Sequence, residues 1–355
     1  MHPDLTVVIP SLNGAKGVDR CLRALEAQSI RSRLEILVVD DGSTDDTAAV
    51  ARSHEVTVVK HPHNLGIAAA RNTGLTAAKA DIIAFLDDDC EPEPQWAQQL
   101  LAGYAEEDIA GVCGPIVPRT PPGLLRGFLN RNNPLAPLEL ELADGYSLPY
   151  RFYLYLKRQW SRPSKTGTRD VYSFAGANMS FRRKALFDAG QFDERFRFGA
   201  EELDMCMRVT QTIPGARLTF VPRARVIHHF KPQLRDTLRR SRSYGIGSAR
   251  LHRKWPSLPP TFFPVPVLVL ALLVAAVWVL PLAVLAVVAP LALYPRGVQA
   301  AIRDRHAPAL LDSYLLLAQE TWEDIGIVQG FWRFRRLPSE PPPAAVSRAG
   351  MKQEP

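Results

Sequence analysis

Between Leu5 and Leu86 the chain alternates short, β-branched apolar runs with stretches of helical spacing, and this alternation restricts the fold more than any other feature. The runs are Leu5 to Pro10, Leu34 to Val39, Val56 to Val59 and Asp81 to Leu86. Between the first two, Val18, Leu22 and Leu25 recur at helical spacing within Ala15 to Gln28. Gly66 to Lys79 is an Ala-rich helical stretch. Asp40 to Thr47 supplies a turn and then N-cap chemistry for another helix. Strands separated by helices argue for an α/β fold, a mostly parallel sheet with helices on both faces. In such sheets ligands bind outside the carboxyl ends of the strands. Here those ends are acidic, with Asp40-Asp41 after the second run and Asp87-Asp88-Asp89 after the fourth.

Three adjacent carboxylates repel one another. A hard divalent cation bound through one or two of them, its shell completed by diphosphate oxygens, removes that penalty. A solvated acidic turn with capping duties is the plainer reading, and the strand-end position weighs against it. Asp40 or Asp41 can accept hydrogen bonds from a base N–H or a ribose hydroxyl, while Ser43 or Thr44 caps the next helix. His63-Asn64-Leu65-Gly66 leads into a helix bearing Arg71 and Asn72. Helix N-termini favour anions, so Arg71 could reach a phosphate; a helix-face arginine paired with an acid is the alternative.

The basic excess, 43 Lys and Arg against 36 Asp and Glu, lies mostly between Lys231 and Lys254, just before a long apolar run. That placement favours an anionic membrane surface over nucleic acid. Phe262 to Pro295 contains no charged residue, with Pro281 near its middle. The run is longer than one span and short for two. Arg250, Arg253 and Lys254 precede it, and Arg296, Arg303 and Arg305 follow. Both ends therefore prefer the cytosol, which favours a tight transmembrane hairpin or re-entrant pair over a single span. Leu310 to Trp332 reads as an amphipathic helix lying in the interface, and the Pro-rich tail from Pro338 onward as disordered. Between Pro118 and Thr168 several prolines break the pattern, and Tyr150 to Trp160 is aromatic and helical. Cys21, Cys90, Cys113 and Cys206 form no metal-binding spacing and read as reduced, buried thiols of a cytosol-facing domain. The N-terminus shows no basic n-region or apolar h-region, so no signal peptide is expected.

Four segments in order make a specific resemblance. Thr6 to Asn13 (TVVIPSLN), Val38 to Asp45 (VVDDGSTD), Asn64 to Gly74 (NLGIAAARNTG) and Phe85 to Asp89 (FLDDD) are together similar to the family 2 glycosyltransferases, whose nucleotide-sugar fold is called GT-A. The resemblance covers roughly residues 4 to 230. It implies a DxD motif at Asp87 and Asp89 holding Mg²⁺ or Mn²⁺ against the donor diphosphate, with Asp88 near the ribose or donor sugar. It places Pro10 and Asn13, with Asp40 or Asp41, in the nucleoside pocket. Gly199 to Arg208 resembles the family's acidic helix start, with Glu202 standing where Asp is usual. Glu202 is the first choice for catalytic base and Glu201 the second. His228 matches a histidine that contacts metal or diphosphate in many relatives.

These assignments imply a GT-A domain over residues 1–230, split near 117 into a nucleotide-sugar half and an acceptor half. A basic juxtamembrane segment (231–261), the hairpin (262–295), the interfacial helix (296–337) and the tail (338–355) follow. The implied enzyme transfers a hexosyl or deoxyhexosyl unit with inversion, at the cytosolic face of the plasma or inner membrane. Its acceptor would be a lipid-linked or cell-envelope polysaccharide hydroxyl. A nucleotidyltransferase would show a Gly-rich loop with a basic residue after the first strand, where Pro10-Ser11-Leu12-Asn13-Gly14 stands. An inactive membrane scaffold would have lost its acids, yet Asp87, Asp89, Glu201 and Glu202 are all present.

Overall fold

The computed structural model describes residues 2–120, 123–139, 148–160, 167–255 and 262–337. The first half follows the alternation: β1 (Leu5–Ser11), α1 (Ala15–Glu26), β2 (Leu34–Asp40), α2 (Thr47–Ser53), β3 (Thr57–Lys60), α3 (Ile67–Ala77) and β4 (Ile82–Leu86). These strands lie in the order β3-β2-β1-β4, all parallel. Every residue of β1 is buried. Val7 and Ile9 face one core with Leu22 and Trp96, while Val8 faces the other with Leu37 and Phe85. A strand covered on both faces has no polar side, which is why its sequence reads as a continuous apolar run. Each Val or Ile so enclosed contributes about 1.5–3 kcal/mol.

The second half departs from the mostly parallel expectation. It contains β5 (Cys90–Pro92), α4 (Trp96–Ala102), β6 (Ile109–Cys113), β7 (Ile116–Arg119), α5 (Leu124–Arg131), β8 (Leu138–Glu139) and α6 (Leu148–Trp160). Next come β9 (Arg169–Ser173), β10 (Asn178–Arg182), α7 (Arg183–Asp188), α8 (Glu201–Thr212), β11 (Arg217–Phe220) and β12 (Val226–His229). β10 enters antiparallel between β4 and β6, β11 runs parallel to β6, and β9 and β8 complete a nine-stranded mixed sheet. A separate sheet, β5-β12-β7, stands at the mouth of the domain. Its register sets His228 opposite Cys90, directly after the acidic triplet.

The C-terminal part is helical: α9 (Leu234–Lys254), α10 (Pro264–Ala275), α11 (Pro281–Leu293), α12 (Pro295–Arg303) and α13 (Leu311–Arg333). The two long helices, α9 and α13, pack along one another. A Cβ at Gly245 would collide with the Glu323 carbonyl, and one at Gly326 with the Arg242 carbonyl. The basic segment is thus a packed helix, and the helix assigned to the interface lays one face on it. Two of the cations read as flanking the membrane point inward. Arg250 is buried, and Lys254 is held by Asp193 and Asp204. The tail expected to be disordered lies outside the described residues.

α10 and α11 form an apolar hairpin that leaves most of its side chains uncovered; Val277, Trp278 and Leu280 are each 78% exposed. With 12 and 13 residues, each helix rises roughly 18–20 Å, against about 30 Å of bilayer hydrocarbon. No single helix among the described residues is long and apolar enough to cross a membrane. α11 and α12 together reach that length, bent by 68° at the break.

Candidate active site

β4 delivers Asp87, Asp88 and Asp89 against the start of α1. A Cβ at Gly14 would meet the Asp88 carboxylate and the Ser11 hydroxyl, so a larger residue there would displace them. The Ser11 hydroxyl donates to Asp88 Oδ2. Burial pushes the Asp88 carboxyl up to about 7; the bond from Ser11 opposes the shift and the neighbouring charges of Asp89 and Asp87 add to it. Burial also raises Asp87 against the pull of Arg71, and Asp89 against that of Arg240.

β12 brings His228 to this cluster, its Nε2 lying 3.2 Å from Asp89 Oδ1. The His229 N–H donates to the Asp89 carbonyl at 2.9 Å, which fixes the approach. Burial, with help from Arg240, lowers the His228 imidazole to about 4. The ring is therefore neutral at pH 7, the form that can ligate a metal. Its Nδ1 is buried without a hydrogen-bond partner. Asp89, Cys90 and His228 each place one donor atom within 4.8 Å of the others. Burial drives the Cys90 thiol well above its usual range, so it stays protonated, and hard cations take oxygen ligands rather than sulfur. Asp89 and His228 thus suit Mg²⁺ or Mn²⁺, with Asp87 in the same patch but turned toward Arg71.

On the other side of Arg71, two residues with positive φ, Gly199 (97°) and Ala200 (70°), start α8 and set Glu201 and Glu202 in its first turn. Arg71 is wholly buried. Its Nη1 donates to Glu201 Oε1 at 2.6 Å, its Nη2 lies 3.5 Å from Asp87 Oδ1, and the ring of Phe192 sits 5.6 Å away. Arg71, read from sequence as reaching a phosphate or pairing with an acid, pairs with acids here and ties the two clusters together. Glu202 is the more exposed of the glutamates. Burial, reinforced by the charge on Glu201 and opposed by Arg71, raises its carboxyl. Asp204, one turn further on, is fully buried and accepts from Arg208 Nε (2.8 Å), Lys254 Nζ (3.0 Å) and Trp255 Nε1 (2.9 Å). Through it the helix carrying the glutamates grips the end of α9.

The residues expected in the nucleoside pocket lie at the ends of β1 and β2 and in the loops that follow. Pro10 is buried and pairs with Val39. Asn13 donates its N–H to Ser43 Oγ and accepts the Thr44 N–H through Oδ1, both at 2.9 Å. Asp40 Oδ1 accepts the Ser43 N–H at 2.8 Å, while Oδ2 lies 3.4 Å from Lys60 Nζ. Asp41 is wholly engaged, meeting His61 Nδ1 (2.7 Å) and accepting the Leu65 and Gly66 N–H groups (2.9 Å each). Its role is to hold the 61–66 loop, which leaves Asp40 as the better candidate of the two for a ligand contact. α9 adds Arg240 and Tyr244, which sequence reading does not single out as site residues. Arg240 lies over the Phe230 ring (4.7 Å), itself 4.4 Å from His228, and Tyr244 packs on Gly199. Their i, i+4 spacing on a basic helix was the available signal.

A mixed sheet with acidic strand ends and a second acidic helix start defines a GT-A-like fold. The protein's fold is similar to that of a Pyrobaculum calidifontis mannosyltransferase, crystallised with GDP-Man and Mn²⁺, with TM-score 0.55 and 21% identity over 94% of this chain and 88% of that one. The chain belongs to glycosyl transferase family 2, whose profile matches residues 6–187. The profile of glycosyl transferase family group 2 matches residues 151–295. Over 72% of its length the chain is 34% identical to the pre-mycofactocin glycosyltransferase of Mycobacterium tuberculosis, and over 59% it is 29% identical to the hyaluronan synthase of Pasteurella multocida. It spans 49% of the first and 23% of the second, about half or less of these relatives.

Proposed function

We propose that the protein is a membrane-anchored glycosyltransferase that moves a sugar from a nucleotide-diphospho-sugar to an acceptor hydroxyl with inversion. The observation that carries this reading is the pair of acidic clusters, Asp87-Asp88-Asp89 with His228 and Glu201-Glu202, joined through one buried arginine. Asp87, Asp89 and His228 would hold a Mg²⁺ or Mn²⁺ ion. That ion would stabilise negative charge on the departing diphosphate by several kcal/mol. Asp40, Asn13 and Pro10 form the nucleoside rim, and Asp88 lies toward the donor sugar. Arg71 fixes Glu201, so Glu202 is the carboxylate able to take the acceptor proton; a positioned base of this kind typically gives about 10²–10⁴-fold. One base acting opposite the leaving group is a single displacement, hence inversion.

The exposed hairpin between basic residues supports anchoring on the cytosolic side of a plasma or inner membrane. A site so placed suits a lipid-linked or cell-envelope glycan acceptor and a hexosyl or deoxyhexosyl donor. Thermal shift of the detergent-purified chain tests the site, with UDP, dTDP and GDP, in Mn²⁺ or EDTA, on wild type and Asp89→Ala. One nucleotide should stabilise the wild type in Mn²⁺ only, and the variant not at all. Folded wild type that responds to no nucleotide would overturn the reading.

A further inference from the structure

The aromatic stretch Tyr150 to Trp160 has no part in the chemistry above, yet its placement is specific. It forms α6, whose inner face reaches both roots of the hairpin. The Tyr155 ring lies 6.4 Å from that of Phe263, the residue just before α10. The Tyr155 hydroxyl lies 3.3 Å from that of Tyr294, the residue just after α11, and donates to Glu320 Oε2 at 2.7 Å. Arg296, which opens the next helix, donates to the Arg158 carbonyl. α6 is therefore docked where the hairpin leaves the domain, the level at which a lipid–water boundary would fall.

The outer face of α6 is not built like a water-facing surface. Positions 150, 153, 157 and 160 follow helical spacing and share one side. They carry Tyr, Tyr, Lys and Trp, with the three aromatics 37%, 54% and 59% exposed. The Tyr150 and Tyr153 ring centroids lie 6.0 Å apart with the rings tilted by 38°, and the Lys157 ammonium lies 6.0 Å from the Tyr153 ring. Rings with a polar edge, beside a cation on a flexible stem, are the composition of a bilayer headgroup zone. Docking at the hairpin roots puts the stripe on the helix that meets the chain where α10 begins and α11 ends. Covered only by water, the rings would leave apolar area exposed at about 25 cal/mol per Å².

We infer that α6 is a second membrane-contacting element, lying in the headgroup region of an anionic bilayer beside the hairpin through Tyr150, Tyr153, Lys157 and Trp160. The inference rests on the lipid-facing reading of the hairpin. Two single-cysteine probes separate the two ideas, because the four native cysteines are buried. An environment-sensitive dye is attached at Tyr153→Cys or at Val277→Cys in the full chain. Each protein is then diluted from detergent into phosphatidylcholine vesicles with or without phosphatidylglycerol. Both dyes should brighten and shift blue, the one at 153 less than the one at 277 and more with the anionic lipid. A response at 277 alone overturns the role of α6, and no response at either position overturns the membrane reading as well. A dye at 153 that responds to soluble oligosaccharides and not to vesicles would make the stripe a sugar platform and sink the proposal. As a second arm, the combined Tyr150→Ser, Tyr153→Ser and Trp160→Ser variant should float with anionic vesicles several-fold less than wild type while keeping its nucleotide thermal shift. Unchanged flotation overturns the inference.

Discussion

The acidic site and the hairpin break the usual sorting of residues in opposite ways. At the site the protein gathers half-buried Asp87 and buried Glu201 around a single enclosed arginine. At the hairpin it leaves valine, leucine and tryptophan uncovered. Both arrangements cost free energy in an isolated soluble chain. In each place the missing compensation would come from outside the polypeptide, as a cation with its phosphates at one end and lipid at the other. The contrast teaches that function sits where the chain alone does not satisfy its own groups.

Four perturbations test this contrast. Glu202→Gln should lower kcat by up to about 10⁴-fold and leave the nucleotide thermal shift intact; equal losses in both would make Glu202 a binding residue. Arg71→Met removes the shared cation and should cost about 3–5 kcal/mol in a denaturant titration, since Glu201 and Asp87 lose their partner. Trp278→Asp should weaken vesicle binding by roughly 2.5–3.5 kcal/mol without changing the unfolding midpoint in detergent, because that side chain supports nothing in the domain. Gly326→Ala, at the α9–α13 crossing, should destabilise by about 1–3 kcal/mol and leave vesicle binding unchanged.

The Glu202 carboxyl also predicts opposed pH trends. Its folded-state affinity for a proton is raised to about 8. Between the ordinary glutamate range and that value the folded chain holds a proton that the unfolded chain has lost. This contribution to stability in metal-free protein therefore falls as pH rises through the window and levels off above it. The base must be unprotonated to act, so kcat/KM should climb over the same window. Parallel rather than opposed trends would remove Glu202 from the role.

The sequence made the parallel half legible because β1 and β2 are enclosed on both faces and read as unbroken apolar runs. The DxD-like triplet and the glutamate pair were legible for a different reason, as the end of a strand and the start of a helix. What escaped notice was long-range and short in sequence. β5 has three residues, too few to show a period, yet its pairing with β12 is what carries His228 to Asp89. Helix α9 read as a basic approach to the membrane because Gly245, which makes room for α13, looks in one dimension like an interruption. Arg71 could be placed on its helix, but its direction could not. Whether an arginine faces a ligand or its own protein's acids depends on what arrives from residues 176 to 201.

The position of β10 has a consequence for synthesis. A strand that begins at Asn178 occupies the middle of the sheet, between β4 and β6, so the emerging chain cannot close its sheet until that late segment leaves the ribosome. Among the described residues all the strands nevertheless precede the hairpin, which starts at Pro264. Domains tend to fold as units with the N-terminal part first, so the sheet can be complete before α10 and α11 appear. The apolar hairpin then emerges attached to a finished domain, and α13, made after it, packs onto α9.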